Sequence, residues 1–124
     1  MAEDDLQLAQ QRKFQKELNA GIVSLVLLSI LAAAREPLYG YQIAKQLERD
    51  GDSTAIMKQG TLYPVLRALC AGGFLDSQVE PSVSGPPRRY YRITDSGREV
   101  LAQWKTAWAS TRDFVDSILG GPPS

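Results

Sequence analysis

The sequence predicts a mainly helical fold in which three helices are followed by one β-hairpin and a long last helix. Two observations favour this order. Apolar residues recur at helical spacing from about Asp4 to Ala34 and in three later segments, and Gly or Pro follows most of these segments. Two strand-like runs, Phe74 to Glu80 and Arg88 to Ile93, flank a loop rich in Pro, Ser and Gly, which is typical of a hairpin with a long tip.

The first helix changes character along its length. Its first half is polar, whereas Ile22 to Ala34 is apolar except for Ser24 and Ser29, so it begins outside a core and ends inside one. A signal peptide or membrane anchor is the alternative for this stretch. It is shorter than the ~18 residues that suggest a membrane span, and acidic residues precede it where a signal peptide is basic. We therefore expect a buried core helix and no membrane partner.

The later helices have recognisable ends. The second helix is expected from about Tyr39 to Arg49, with Gly51 as a left-handed cap after it. The third is expected from about Gln59 to Ala71, with Pro64 in its first turns, where a missing backbone donor costs little. Thr94 is a good N-cap for the last helix. The two short helices and the hairpin together form a winged helix-turn-helix with a two-stranded wing, extended by long N-terminal and C-terminal helices.

The distribution of charged residues along the chain is more informative than the net charge. The 124 residues include 14 Lys and Arg and 14 Asp and Glu, and this net charge of zero counts against nucleic-acid binding. However, the stretches from Ser53 to Leu75 and from Pro81 to Thr94 contain no acidic residue. The second stretch carries Arg88, Arg89 and Arg92. These two stretches, which contain the third helix and the tip and second strand of the hairpin, are therefore locally basic.

Cysteine and histidine usage narrows the classes of function. One cysteine and no histidine exclude a disulfide within the chain, the common zinc sites and a catalytic triad built on His. We expect no metal, no cofactor and no enzymatic activity. Cys70 is interpreted as buried filler rather than a redox sensor, and a cytoplasmic location is the default.

Polar residues of the third helix are candidates for contacts with DNA. In a helix-turn-helix, the second helix of the pair enters the major groove, where its exposed side chains contact bases or phosphates. The alternative is an ordinary solvated helix face. The candidates are Lys58, Gln59, Thr61, Tyr63 and Arg67.

The hairpin is the candidate wing. Strand alternation places Tyr91 and Ile93 on one face. Arg88, Tyr90 and Arg92 then lie on the other face. Arginines beside a flexible tip suit the phosphate backbone or the minor groove of DNA. The alternative is that these arginines only keep the hairpin soluble.

The last helix carries a seam of residues at alternating spacings of three and four, as in a heptad repeat. Such a seam needs a partner, which is the first helix of the same chain, the same helix of a second chain, or both. We expect a homodimer. The seam residues are Leu101, Trp104, Trp108, Thr111, Val115 and Ile118, of which all except Thr111 are assigned to dimerisation.

The two tryptophans of this seam suggest a ligand site. Trp104 and Trp108 are four residues apart and share a helix face, and a two-fold axis would bring their copies together. We expect them to line an apolar cavity that admits a flat aromatic effector, with Thr111 orienting a polar group of that ligand. The alternative is that both indoles are interface core and no cavity exists.

Three motifs resemble the PadR family of transcriptional regulators: Leu38 to Ile43, Gly60 to Leu66, and Pro87 to Gly97. The similarity covers about Gly21 to Leu119 and keeps the family's order and spacing, in the subgroup with a single C-terminal helix. It implies a winged-helix homodimer, usually a repressor, whose C-terminal helix contacts the partner's first helix. It also implies a response to small aromatic or amphipathic compounds.

The resemblance also implies roles for individual residues. Trp108 falls where some family members place a tryptophan that lines a ligand cavity at the dimer interface. Lys58 stands where a capping Ser or Asn would be expected, and the polar extension before Gly21 is longer than the family pattern. The implied DNA-binding residues are Tyr39, Tyr41 and Gln42 in the supporting helix, Thr61, Tyr63, Pro64 and Arg67 in the recognition helix, and Arg88 and Arg89 in the wing.

These observations divide the chain into four parts. Residues 1–20 are a polar extension of the first helix, 21–93 a winged helix-turn-helix DNA-binding domain, 94–119 a dimerisation helix, and 120–124 a disordered tail. The predicted function is a transcriptional repressor that binds an inverted-repeat operator in double-stranded DNA and is released by a small aromatic effector. The alternative is a winged-helix module that binds protein, without DNA or effector.

Overall fold

The computed structural model describes residues 2–48 and 59–120. Their elements are helix α1 (Ala2–Ala33), strand β1 (Leu38–Tyr39), helix α2 (Gly40–Leu47), helix α3 (Gln59–Ala71), strand β2 (Leu75–Glu80), strand β3 (Arg88–Ile93) and helix α4 (Asp95–Leu119). The predicted order of helices and hairpin is confirmed. The predicted cap at Gly51, Lys58 and the predicted tail beyond Gly120 lie outside the described residues.

A third strand joins the predicted two-stranded hairpin. β1 pairs antiparallel with β3, Leu38 opposite Tyr91 and Tyr39 opposite Tyr90, so the strand order is β1-β3-β2. Tyr39 therefore does not open the second helix, as its sequence predicts, but is extended backbone at φ −99° and ψ 168°. Its N–H donates to the side-chain oxygen of Gln42 at 3.0 Å, which fixes the start of α2 one residue later.

The core lies between the helices and the inner face of the sheet. α1 contributes Leu27, Leu28 and Leu31, each at most 3% exposed, whereas its residues 3–18 are exposed. By length and composition alone α1 could cross a membrane, but its apolar half packs into this core, as predicted. The other buried residues of the cluster are Ile43, Leu62, Leu66, Leu69, Leu75, Tyr91, Ile93 and Leu101.

A junction ties the end of α3 to the start of α4. After α3, Gly73 is left-handed at φ +83°, and the Phe74 N–H donates to the Leu69 carbonyl at 2.9 Å. The Thr94 hydroxyl donates to the Gly73 carbonyl at 2.7 Å and accepts from the Gly97 N–H at 3.0 Å. The Thr94 N–H donates to the Phe74 carbonyl at 3.1 Å. Thr94 is thus the N-cap of α4, as predicted, and also holds the end of α3.

Replacing Thr94 with Val is expected to lower the free energy of unfolding by ~1–2 kcal/mol, because it removes the cap and leaves the Gly73 carbonyl without its donor. Thr106→Val is the matched control, since Thr106 is exposed and its hydroxyl donates to the Ala102 carbonyl within its own helix. That control should stay within ~0.5 kcal/mol of the wild type. Urea denaturation at one protein concentration measures both, and equal losses would contradict the tie between α3 and α4.

Candidate nucleic-acid interface

The exposed side of α3 carries the predicted recognition residues. Leu62, Leu66 and Leu69 are buried in the core, so the opposite side of the helix faces solvent. The side chain of Gln59, like Lys58, lies outside what the structure describes. The exposed side carries Thr61, Tyr63, Pro64 and Arg67.

Tyr63 also packs closely against Gly40 at the start of α2. A Cβ on Gly40 would lie 2.7 Å from Cε1 of Tyr63 and would overlap its hydroxyl. Because Gly40 has no side chain, α2 and α3 can approach closely at this point. Of the other residues assigned to α2, Tyr41 is exposed and Gln42 is half-buried. Tyr63 and Gln42 therefore have structural contacts that their positions in the motifs do not reveal.

The two wing arginines lie on opposite faces of β3. Arg89 donates to the Ser77 hydroxyl at 2.9 Å, and Ser77 is the cross-strand partner of the buried Tyr91, so Arg89 lies on the face toward α3. Arg88 lies on the other face, where its guanidinium is 4.5 Å from the ring centroid of Tyr39. The predicted alternation is confirmed. The wing therefore presents a guanidinium on each side.

Aromatic rings continue from Arg88 across the outer face to α2. Tyr39 meets Tyr90 edge-on at 5.3 Å between centroids and lies 6.4 Å from Tyr41. The Lys45 ammonium is 5.8 Å from the Tyr41 ring centroid. Lys45 is missing from the predicted contacts, although its spacing of four from Tyr41 places both on one helix face. A positive charge thus lies at each end of this row of rings.

Burial raises the pKa of two ionisable groups near Arg89, each of which is neutral at neutral pH. It raises the pKa of the Cys70 thiol above its ordinary value, although a hydrogen bond with Ser77 and the charge of Arg89 act in the opposite direction. Burial likewise raises the pKa of the Tyr91 hydroxyl. The arginines therefore set the charge of this face at neutral pH. Cys70 is half-buried rather than fully buried, and across residues 2–48 and 59–120 no metal-binding cluster of three His, Cys, Asp or Glu occurs.

A groove of about 560 Å³ runs between α1 and α4, away from α3. All three predicted effector residues, Trp104, Trp108 and Thr111, line it from α4. The facing wall on α1 is mostly apolar, so the groove combines two indoles with aliphatic side chains and little polar surface. Its wall includes Leu18, Ile22 and Leu25.

The seam of α4 divides into a buried part and an uncovered part. Leu101 is 4% exposed and packs in the core of its own chain. Trp104 is half-buried and meets Phe74 edge-on, 5.9 Å between ring centroids. Farther along, Trp108 is 41% exposed and Val115 is 42% exposed. Leu101 is therefore buried without a second chain. The distal seam, which consists of Trp108, Val115 and Ile118, is exposed in the single chain.

Comparisons with known proteins agree with this architecture. A transcriptional regulator from Eggerthella lenta, described as a PadR family member, superposes with a TM-score of 0.74 at 36% identity over 96% of each chain. That coverage includes most of the polar extension. A transcriptional regulator from Clostridium thermocellum superposes with a TM-score of 0.72 at 28% identity, over 82% of this chain and 96% of that one.

Sequence comparison points the same way. Transcriptional regulator Rv3488 of Mycobacterium tuberculosis is 35% identical over 89 residues, which cover 72% of this chain and 77% of that protein. The model of the transcriptional regulator PadR-like family matches residues 27–103, from the buried half of α1 through both short helices and the wing into α4. This match spans more than half of the chain, which therefore belongs to the PadR-like family of transcriptional regulators.

Proposed function

We propose that this protein is a cytoplasmic repressor that binds double-stranded DNA as a homodimer and leaves it when a small aromatic effector binds. The observation that carries the proposal is the shared face of α3 and the wing. Thr61 and Arg67 are exposed on α3, and Arg89 lies on the wing face toward α3. The acidic residues of the wing, Asp76 and Glu80, lie opposite Arg92 and Arg88 on the other face, so phosphates that approach Arg89 meet no like charge from the wing.

The binding mode follows from the positions of these groups. α3 enters the major groove, with Thr61 and Tyr63 near base edges and Arg67 toward the backbone. Arg88 and Arg89 contact phosphates from the two sides of the wing. The supporting residues Tyr39, Tyr41 and Gln42, with Pro64 of α3, flank this contact. A two-fold dimer then binds an inverted repeat with half-sites about one or two helical turns apart.

The dimer is proposed to form through the distal seam of α4. In the single chain this region exposes large apolar side chains, including Phe114 at 66% and Ile118 at 70%. Surfaces of this kind are typical of interaction sites. The groove between α1 and α4 adjoins this seam, which supports the proposal that Trp108 and Thr111 contact an effector enclosed by the dimer.

Arg88→Ala and Arg89→Ala are each expected to weaken binding to all DNA sequences alike and to lower the salt slope by ~0.9, the value for one phosphate contact. Thr61→Ala should instead change base preference. Gel shifts on promoter DNA over a salt series measure both effects. Arg12→Ala, an exposed arginine of the extension, is the control and should leave the slope unchanged.

The same experiment distinguishes DNA binding from the main alternative, protein binding. A winged-helix module that binds only protein would show no salt-dependent shift of any DNA. If both wing variants bind like the wild type at physiological salt, the assignment of the wing to the DNA backbone is wrong, even if α3 still binds.

A further inference from the structure

We propose that Ser77 is a positioning residue for DNA binding, because its hydroxyl holds the Arg89 guanidinium on the wing face toward α3. The inference rests on the proposed function and extends its site to a residue of β2. Ser77 acts through Arg89 rather than by contact with DNA.

The register of the hairpin shows in which direction Arg89 extends. Val79 lies directly opposite Arg89, and Ser77 lies opposite Tyr91, farther from the loop that joins the two strands. The Arg89 Nη1 donates to the Ser77 hydroxyl at 2.9 Å, so the side chain crosses diagonally to the next pair on the same face. The hydrogen bond therefore turns the guanidinium away from the loop and toward Tyr91, which packs in the core with residues of α3.

Ser77 is itself linked to α3. It is half-buried, and it forms a hydrogen bond with the thiol of Cys70 on α3. One hydroxyl can accept from Arg89 and still bond to a second group. These contacts join a residue of β3, a residue of β2 and a residue of α3. They therefore set the position of the wing guanidinium relative to the helix that is proposed to enter the major groove.

Arg89 needs this restraint because a second guanidinium lies nearby. Burial raises the pKa of the Tyr91 hydroxyl, and the charges of Arg89 and Arg67 both oppose that shift. Both arginines therefore lie close enough to Tyr91 for their charges to act on it, one from the wing and one from α3. Like charges repel, so without the Ser77 hydroxyl we expect Arg89 to turn away from Arg67 when no phosphate lies between them.

Ser77 restrains Arg89 without reducing its charge. Arg92 on the same strand is paired with Asp76 at 3.6 Å, whereas Arg89 is absent from the ion pairs within residues 2–48 and 59–120. A hydroxyl is neutral and takes one donor of the guanidinium, so the other donors remain available to a phosphate. A flexible arginine loses side-chain freedom when it binds, and a restraint that exists before binding removes part of this cost.

Fluorescence anisotropy with labelled promoter DNA over a salt series tests this role in the full chain. Ser77→Ala is expected to weaken binding about three- to tenfold at physiological salt, the range for the restraint of one long side chain. The salt slope should stay as in the wild type, because Arg89 still contacts its phosphate, whereas Arg89→Ala lowers the slope by ~0.9. Ser77→Thr keeps the hydroxyl and should bind DNA like the wild type.

A double-mutant cycle separates positioning from a general structural effect. In the Arg89→Ala background, Ser77→Ala should cause no further loss of affinity, since the side chain that it positions is absent. Ser110→Ala, the same change at an exposed serine of α4, is the control and should leave the affinity unchanged in both backgrounds. Circular dichroism checks that the variants compared are folded.

Two results would overturn the positioning role alone. The first is that Ser77→Ala binds DNA as tightly as the wild type. The second is that Ser77→Ala weakens binding equally with and without Arg89, which would show that Ser77 acts independently of this arginine. In both cases the DNA contact of Arg89 stands if Arg89→Ala still lowers the salt slope. A wild-type protein that binds no DNA would instead contradict the proposed function, and the positioning role with it.

Discussion

Gly97→Ala is expected to destabilise the protein by ~2–3 kcal/mol, because the new methyl group has no space. A Cβ at Gly97 would overlap the Phe74 carbonyl oxygen and lie 2.7 Å from Cγ1 of Ile93. The Phe74 backbone cannot move aside cheaply, since its N–H donates to the Leu69 carbonyl and its carbonyl accepts from the Thr94 N–H. The clash therefore falls on the junction between α3 and α4.

Gly21→Ala is the matched control for this substitution. Both glycines are helical, so the gain in helix propensity is about the same in both variants. Nothing lies within 4 Å of a Cβ at Gly21, and that variant should gain ~0.5–1 kcal/mol. Urea midpoints at one protein concentration give the comparison. A Gly97→Ala protein as stable as the wild type would show that the junction between α3 and α4 accommodates the added methyl group without loss of stability.

Val115→Asp combined with Ile118→Asp is expected to weaken the proposed dimer by ~100-fold or more, since two carboxylates would be buried without partners in its seam. Both side chains are exposed in the single chain, so the fold should survive. Sedimentation velocity should then show a monomer with the helical circular dichroism of the wild type. The double variant Thr106→Asp with Ser110→Asp adds the same charge to exposed positions off the seam and should remain dimeric.

Leu101→Asp is the contrasting case on the same helix. Because Leu101 is buried in its own chain, a carboxylate there should unfold the protein rather than release a folded monomer. A well-folded dimer that carries both Val115→Asp and Ile118→Asp would refute the role of the distal seam.

Local signals predict most of the fold. The glycines after α3 and the cap at Thr94 act on their immediate neighbours, so their effects can be derived from the sequence. β1 was not predicted because it has only two residues, and its strand character depends on pairing with Tyr90 and Tyr91 far along the chain. The contact between Arg88 and Tyr39 depends on that pairing and was missed with it.

The same reasoning explains the limits on the site. Strand alternation predicts which face each wing residue occupies, and the buried Tyr91 confirms it. The spacing of the α4 seam predicts that its residues share one face. Leu101 and Val115 are two heptads apart and occupy equivalent positions on that face, but only Leu101 is buried in the core. Periodicity identifies the apolar face of a helix but does not determine which element or chain packs against that face.

The divided seam of α4 has a consequence for hydrogen exchange. Its first turns are anchored through Gly97, Leu101 and Trp104, whereas most residues beyond Trp104 are exposed in the single chain. A helical segment without tertiary contacts is only marginally stable, so its amides exchange through local opening. In an isolated chain, amide protection should therefore fall steadily from Trp104 toward Leu119, and a partner that covers the seam should remove this gradient.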